Sequence, residues 1–155
     1  MAQQGSLELL KDPVADALLG SANPARLAYT WTDGSPRVVP IWFHWTGDQF
    51  ALGSPPGAPK LKALAADPRV ALTVDGNAWP YKELLVRGRA SVEFLDDVSP
   101  EYALAATRYF GPERGSARVS TLRGTPTAPH RHHTWLGGDI GLPDPVPECP
   151  DALEP

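Results

Sequence analysis

Lys60 is the charged side chain best placed by its sequence context to hold an anion. It follows the Gly/Pro-rich stretch Ser54-Pro55-Pro56-Gly57-Ala58-Pro59 and opens an apolar run, Lys60 to Ala66, that reads as a short helix stopped by Asp67-Pro68. Backbone N–H groups at a helix start are free and the helix dipole favours negative charge there, so a phosphate suits the position. Lys62 lies on another face of that helix and reads as a solvent contact. A second candidate is Pro40. A proline inside a strand withholds an N–H, so Pro40 belongs at an edge or a bulge. The backbone groups of Val39 and Ile41 are then left for a ligand whose rim alternates donors and acceptors. An ordinary edge-strand proline is the plain alternative.

Other reactive side chains do not assemble into a site. His44 has no acid or base paired with it, so no general-acid role and no catalytic residue are assigned. His130, His132 and His133 fall in a strand-like stretch, the first two facing one way and the third the other. With no cysteine or carboxylate beside them, no metal centre is expected. Cys149 is the sole cysteine, forms no internal disulfide, suits a reducing cytoplasmic setting and reads as inert. Five tryptophans, Trp31, Trp42, Trp45, Trp79 and Trp135, exceed what a small core needs. Most read as core or dimer contacts, leaving one or two to face a flat ligand.

The elements that must position these residues are short. Leu7, Leu10, Val14 and Leu18 recur with helical spacing, and Asp12-Pro13 starts the helix proper at Pro13, with an end near Gly20. Strands are expected over Arg26–Thr32, Arg37–Trp45 and Gln49–Gly53, joined by tight turns and hence antiparallel. On the second, Val38, Pro40, Trp42 and His44 share one face, and Val39, Ile41, Phe43 and Trp45 the other. Arg69–Val74 is a further strand, and Glu83–Leu95 a long one expected to bend or bulge at Gly88. Ser99-Pro100-Glu101 begins a helix that Gly111 stops. Glu113 to Pro129 gives no clear reading, and a last strand covers Arg131–Leu136. The chain therefore reads as mainly β (α+β), a six-stranded antiparallel Greek-key barrel with short peripheral helices.

At 155 residues the chain fits one domain, 1–142, followed by a tail, 143–155. That tail holds five prolines and four acids in 13 residues, a composition expected to stay disordered. A net charge of −4 argues against nucleic acid, and no apolar run reaches the length of a membrane span.

From Arg26 onward the residues follow a more specific pattern. It comprises Arg26-Leu27-Ala28-Tyr29-Thr30, the Asp33-Gly34 turn, Pro36-Arg37-Val38-Val39-Pro40-Ile41-Trp42-Phe43, Gly53-Ser54, and Lys60 to Leu64. Asp67-Pro68-Arg69-Val70-Ala71-Leu72 and Val86-Arg87-Gly88-Arg89-Ala90 continue it, with an echo at Thr134-Trp135. This ordered set resembles the flavin-binding split β-barrels of the pyridoxamine 5′-phosphate oxidase-like superfamily. The resemblance implies a homodimer with FMN, or the deazaflavin coenzyme F-420, in a groove between subunits, and hydride transfer to or from a small molecule. It places Val39, Pro40, Ile41 and Trp42 along the isoalloxazine, and Gly53, Ser54 and Lys60 among the cofactor contacts, with Lys60 at the phosphate. Trp135 matches a last-strand tryptophan that reaches the other subunit's flavin. Relatives carry Ser-Arg-Lys where this chain has Ala58-Pro59-Lys60, so only the lysine is kept. The proline-rich tail does not resemble the arginine-rich C-terminal segment of the vitamin B6 oxidase itself. The rival reading is a non-enzymatic barrel that binds haem, a pigment or another apolar metabolite.

Overall fold

The computed structural model describes residues 6–55, 57–123 and 133–137. His130, His132, Cys149 and the tail from Pro143 lie outside them. Each early helix starts where its cap dictates. Asp12 accepts a hydrogen bond from the Val14 N–H at 2.8 Å, and Pro13 opens α1 (Pro13–Leu19). A 3-10 turn, Leu7–Lys11, precedes it. Ser99 accepts from the Tyr102 N–H at 3.1 Å to start α3 (Pro100–Phe110), which Gly111 ends at φ 83°. A β-carbon would strain that left-handed conformation. Between them, α2 (Pro59–Ala66) has no side-chain cap at Ala58.

Eight strands form two four-stranded antiparallel sheets. They are β1 (Ala25–Thr30), β2 (Pro36–Ile41), β3 (Phe43–Trp45), β4 (Phe50–Ser54), β5 (Arg69–Asp75), β6 (Glu83–Arg89), β7 (Ser91–Leu95) and β8 (His133–Gly137). One sheet has the order β2-β1-β5-β6 and the other β3-β4-β8-β7. The expected strand Arg37–Trp45 is divided at Trp42, and Glu83–Leu95 at Ala90, so each run passes from one sheet to the other. The bend does not fall at Gly88, which keeps its place opposite Val70 in an unbroken ladder. It falls at Ala90, whose N–H donates to the Pro68 carbonyl at 2.7 Å, one step beyond the last β5–β6 pair, Arg69 with Arg89. Pro40 does lie on an edge strand, opposite Arg26. Pairings among the described residues give two open sheets, and the architecture is mixed α+β with antiparallel sheets and four α-helices.

The core fills the space between the sheets. Ile41 and Phe43 point into it with Leu27, Leu52, Leu72, Val74 and Val86, while Leu18, Leu19 and Leu64 close it from the helices. The alternation expected on the second strand run holds across the break. Val39, Ile41, Phe43 and Trp45 are core members or packed against the core, whereas Val38 and Pro40 are exposed. Trp31 packs on the core as well, but Trp79 stands 82% exposed on the β5–β6 loop. The stretch without a clear reading forms α4 (Pro112–Arg123). Val119 and Leu122 pack with Val98 and Ala106, and Gly115 lies so close to α3 that a β-carbon would sit 2.8 Å from Thr107 Cα. No helix among the described residues is long and apolar enough to cross a membrane.

Candidate functional site

The sheet register gathers most of the sequence-predicted residues at one end of the second sheet. Ser54 is opposite Thr134, and Gly53 is opposite Trp135. On the other side of β4, Phe43 pairs with Leu52. One step beyond that ladder, at the corner where the chain changes sheets, Trp42 comes beside Gly53. The aromatic contacts agree: the Tyr102 ring lies over Gly53, where a β-carbon would fall 2.4 Å from its edge, and packs 6.2 Å from Trp42. The β2–β3 corner, the end of β4 and β8 thus lie side by side.

Their side chains have different surroundings. Ile41 is buried in the core and Val39 packs on it. Pro40 is exposed on β2. Trp42 lies under α3, stacked on Tyr109 at 4.9 Å and 9° and met edge-on by Phe110 at 4.6 Å. Its indole therefore serves the α3 contact, and what β2 offers a ligand is its exposed backbone edge. His44, on the same strand run, is half-buried opposite Ala51. Burial, with Arg108 nearby, pushes its imidazole below the ordinary histidine range against the opposing pull of Glu101.

The row containing Ser54 leads to the loop before α2. Ser54 is 2% exposed, and its Oγ has no hydrogen-bond partner among the described residues. A buried hydroxyl without a partner is uncommon and costs stability. After the intervening loop comes Lys60 in the first turn of α2, half-buried and with no carboxylate paired to it among the described residues. Loss of water around the ammonium lowers its pKa. Lys62 is exposed. An unpartnered buried hydroxyl, an uncapped helix start and a desolvated cation thus follow one another within seven residues of the chain, Ser54 to Lys60, and each would be satisfied by an anion with acceptor oxygens. The residues present fit a cofactor phosphate.

Sequence reasoning missed the residues that cover this end. Tyr102, Ala106 and Tyr109 recur at helical spacing, a signal for a buried face but not for its partner strand. Arg108 was not singled out, yet it joins three elements. Its Nη1 donates to the Leu19 carbonyl at 3.0 Å, and its Nη2 donates to the Phe43 carbonyl.

Comparison with known proteins adds to this geometry. Among solved structures, an F420 reductase is 26% identical with a TM-score of 0.60, the match covering 80% of this chain and 90% of that one. A FAD-binding protein from Mesorhizobium loti is 25% identical with a TM-score of 0.54, covering 87% and 88% of the two chains. HutZ, the haem storage protein from Vibrio cholerae, shares the fold at 16% identity and a TM-score of 0.56, covering 84% and 91%. No curated protein matches the chain. The profile described as pyridoxamine 5′-phosphate oxidase matches residues 12–132, a span that takes in both sheets up to β7, all four helices, Ser54 and Lys60. By that match the chain belongs to the pyridoxamine 5′-phosphate oxidase family.

Proposed function

We propose that the protein is a homodimeric oxidoreductase of the flavin-dependent type, using FMN or a deazaflavin and acting on a small molecule. The observation that carries this is the set of groups leading into α2 that an anion would satisfy: the Ser54 hydroxyl, the Lys60 ammonium and the uncapped helix end. The cofactor, when bound, supplies hydride transfer. The chain's own part is to bind and orient it. The Lys60 ammonium and the Lys60 backbone N–H hold the phosphate, with the Ser54 hydroxyl donating to it. The exposed edge of β2 around Val39, Pro40 and Ile41 meets the ring, with Gly53 alongside and Trp135 reaching the partner's cofactor. The α3 cover over Trp42 and Gly53 excludes water from one side. In this reading the two sheets, sharing corners at Trp42 and Ala90, make up a six-stranded split barrel whose open side is closed by the second copy.

The visible spectrum of the purified protein tests the reading. The two bands of an oxidised flavin or the single band of a deazaflavin are expected, either as purified or after reconstitution. Lys60→Ala is expected to weaken cofactor binding by about ten- to a hundredfold, the worth of a charge-assisted hydrogen bond at roughly 1.5–3 kcal/mol. Lys62→Ala removes the same charge from an exposed position and is expected to do much less. A protein that binds neither cofactor, or equal affinities for wild type and Lys60→Ala, would rule out the phosphate assignment.

A further inference from the structure

One inward-facing aromatic side chain is open to solvent, and it lies on the row that holds Ser54. Phe94 on β7 is opposite Thr134, which is itself opposite Ser54 across β8. Residues opposite one another in antiparallel strands share a face. Two independent alternations identify that face as the core side. Phe50 and Leu52 precede Ser54 by even steps and are buried in the core, and Val92 precedes Phe94 by two and packs on it. Yet Phe94 is 59% exposed. A large apolar ring that points to the core side and remains mostly in solvent marks an opening at this end of the molecule.

The opening has a definite position along the proposed cofactor path. Going across the second sheet, the β2–β3 corner comes first, Ser54 on β4 next and Phe94 on β7 last, two strand spacings or about 10 Å beyond Ser54. The helix α2, which carries Lys60, packs against both β1 and β7 and so spans the same interval. A cofactor with its ring at the β2 edge and its phosphate at Ser54 and Lys60 would end before Phe94. A cofactor with a further group beyond the phosphate would reach it.

We propose that the protein prefers a flavin dinucleotide to a mononucleotide, with Phe94 stacking the aromatic base that lies beyond the phosphate. The inference rests on the flavin reading given above. A phenyl face suits a planar base and not a carboxylate-bearing extension, because the ring's face is electronegative. Base–aromatic stacking of this kind accounts for about a tenfold or larger change in affinity on removal of the aromatic ring.

Titration of FAD and FMN against wild type, Phe94→Ala, Phe94→Tyr and Lys60→Ala separates the possibilities. Wild type is expected to bind FAD about tenfold more tightly than FMN. Phe94→Ala is expected to bring FAD down to the FMN value while leaving FMN unchanged, and Phe94→Tyr to restore the preference. Lys60→Ala should weaken both flavins alike. Equal affinities for FAD and FMN in wild type, or an equal loss of both in Phe94→Ala, overturn the dinucleotide assignment alone. Failure of both flavins to bind wild type overturns this assignment, and failure of the deazaflavin as well overturns the cofactor reading on which it rests. Phe94 is exposed and adds little to the core, so Phe94→Ala is expected to melt like wild type, which keeps the comparison interpretable.

Discussion

Arg108 directs its hydrogen bonds to two backbone carbonyls and the Tyr109 hydroxyl, and its charge adds to the effect of burial on His44. The guanidinium lies 4.5 Å from the Phe43 ring centroid and 5.0 Å from that of Tyr109, held between aromatic faces as well as by Leu19 and Phe43. A fixed positive charge near a half-buried imidazole disfavours a second one. His44 therefore titrates below its ordinary value of 6.5, because of burial first and Arg108 second. The unfolded chain then takes up the His44 proton more readily than the folded one. Stability from this source is complete above pH 6.5 and is lost as pH falls through the lower folded value. The melting temperature of wild type is expected to drop as the pH falls below 6.5, and His44→Gln should flatten that part of the curve. An unchanged slope in His44→Gln would show that another group is responsible. Lys60 could be singled out from sequence because a helix start after a Gly/Pro loop is a local signal, and Ser54 because it belongs to the pattern that resembles the family. Arg108 could not, since its carbonyl partners are 89 and 65 residues away and only tertiary packing brings them together.

The same distinction between local and tertiary signals separates the helices. Those with a capping residue and a proline at the first position, α1 and α3, begin where the sequence places them. The fourth helix has little to announce it: Gly115, Ser116, Ser120 and Thr121 are poor helix formers, and only Val119 and Leu122 give an apolar stripe. Its existence depends on close approach to α3. At Gly115 a β-carbon would meet backbone atoms, Thr107 N and Cα at 2.8 Å and the Ala106 carbonyl carbon at 2.9 Å, which cannot rotate away. In an exposed helix, glycine to alanine stabilises by about 1 kcal/mol. Here Gly115→Ala is expected to destabilise by about 1–3 kcal/mol, the cost of overpacking, and to lower the melting temperature by several degrees. The shift should be accompanied by altered tryptophan fluorescence as α3 moves on Trp42. A variant more stable than wild type would mean that the two helices are not in contact at this point. The strands were legible by alternation, but the corners at Trp42 and Ala90 were not, because a chain that changes sheets without a turn keeps its periodicity.

At the scale of the whole molecule, the unsolved problem is the outer face of the sheet β2-β1-β5-β6. Its core side is filled, while the opposite side presents a row across all four strands, Val38, Ala28, Ala71 and Arg87, and a second row, Pro40, Arg26, Thr73 and Leu85. Val38 is 63% exposed and Leu85 54%. Alanines in the middle of such a face leave it flat, and apolar residues towards its edges favour contact with another flat surface. Charges do not oppose this as strongly as their number suggests, because Arg26 is already paired with Asp75. A second copy of the chain would be an occupant that also closes the proposed split barrel and places the proposed cofactor between subunits, and a two-fold pair would bring each face against its equal. Light scattering at micromolar concentration is expected to give twice the 16.7 kDa of the chain. Replacing both Val38 and Leu85 by glutamate sets like charges into each half of a self-complementary contact, so the double variant is expected to be monomeric. Its isolated fold should persist, since neither side chain belongs to the core. Cofactor binding should fall with the loss of the dimer, because each groove would lack the wall supplied by the other copy. A monomeric wild type would remove the shared groove. A double variant that stays dimeric would move the interface to a different face and leave the cofactor site at Ser54 and Lys60 to be judged by its own titrations.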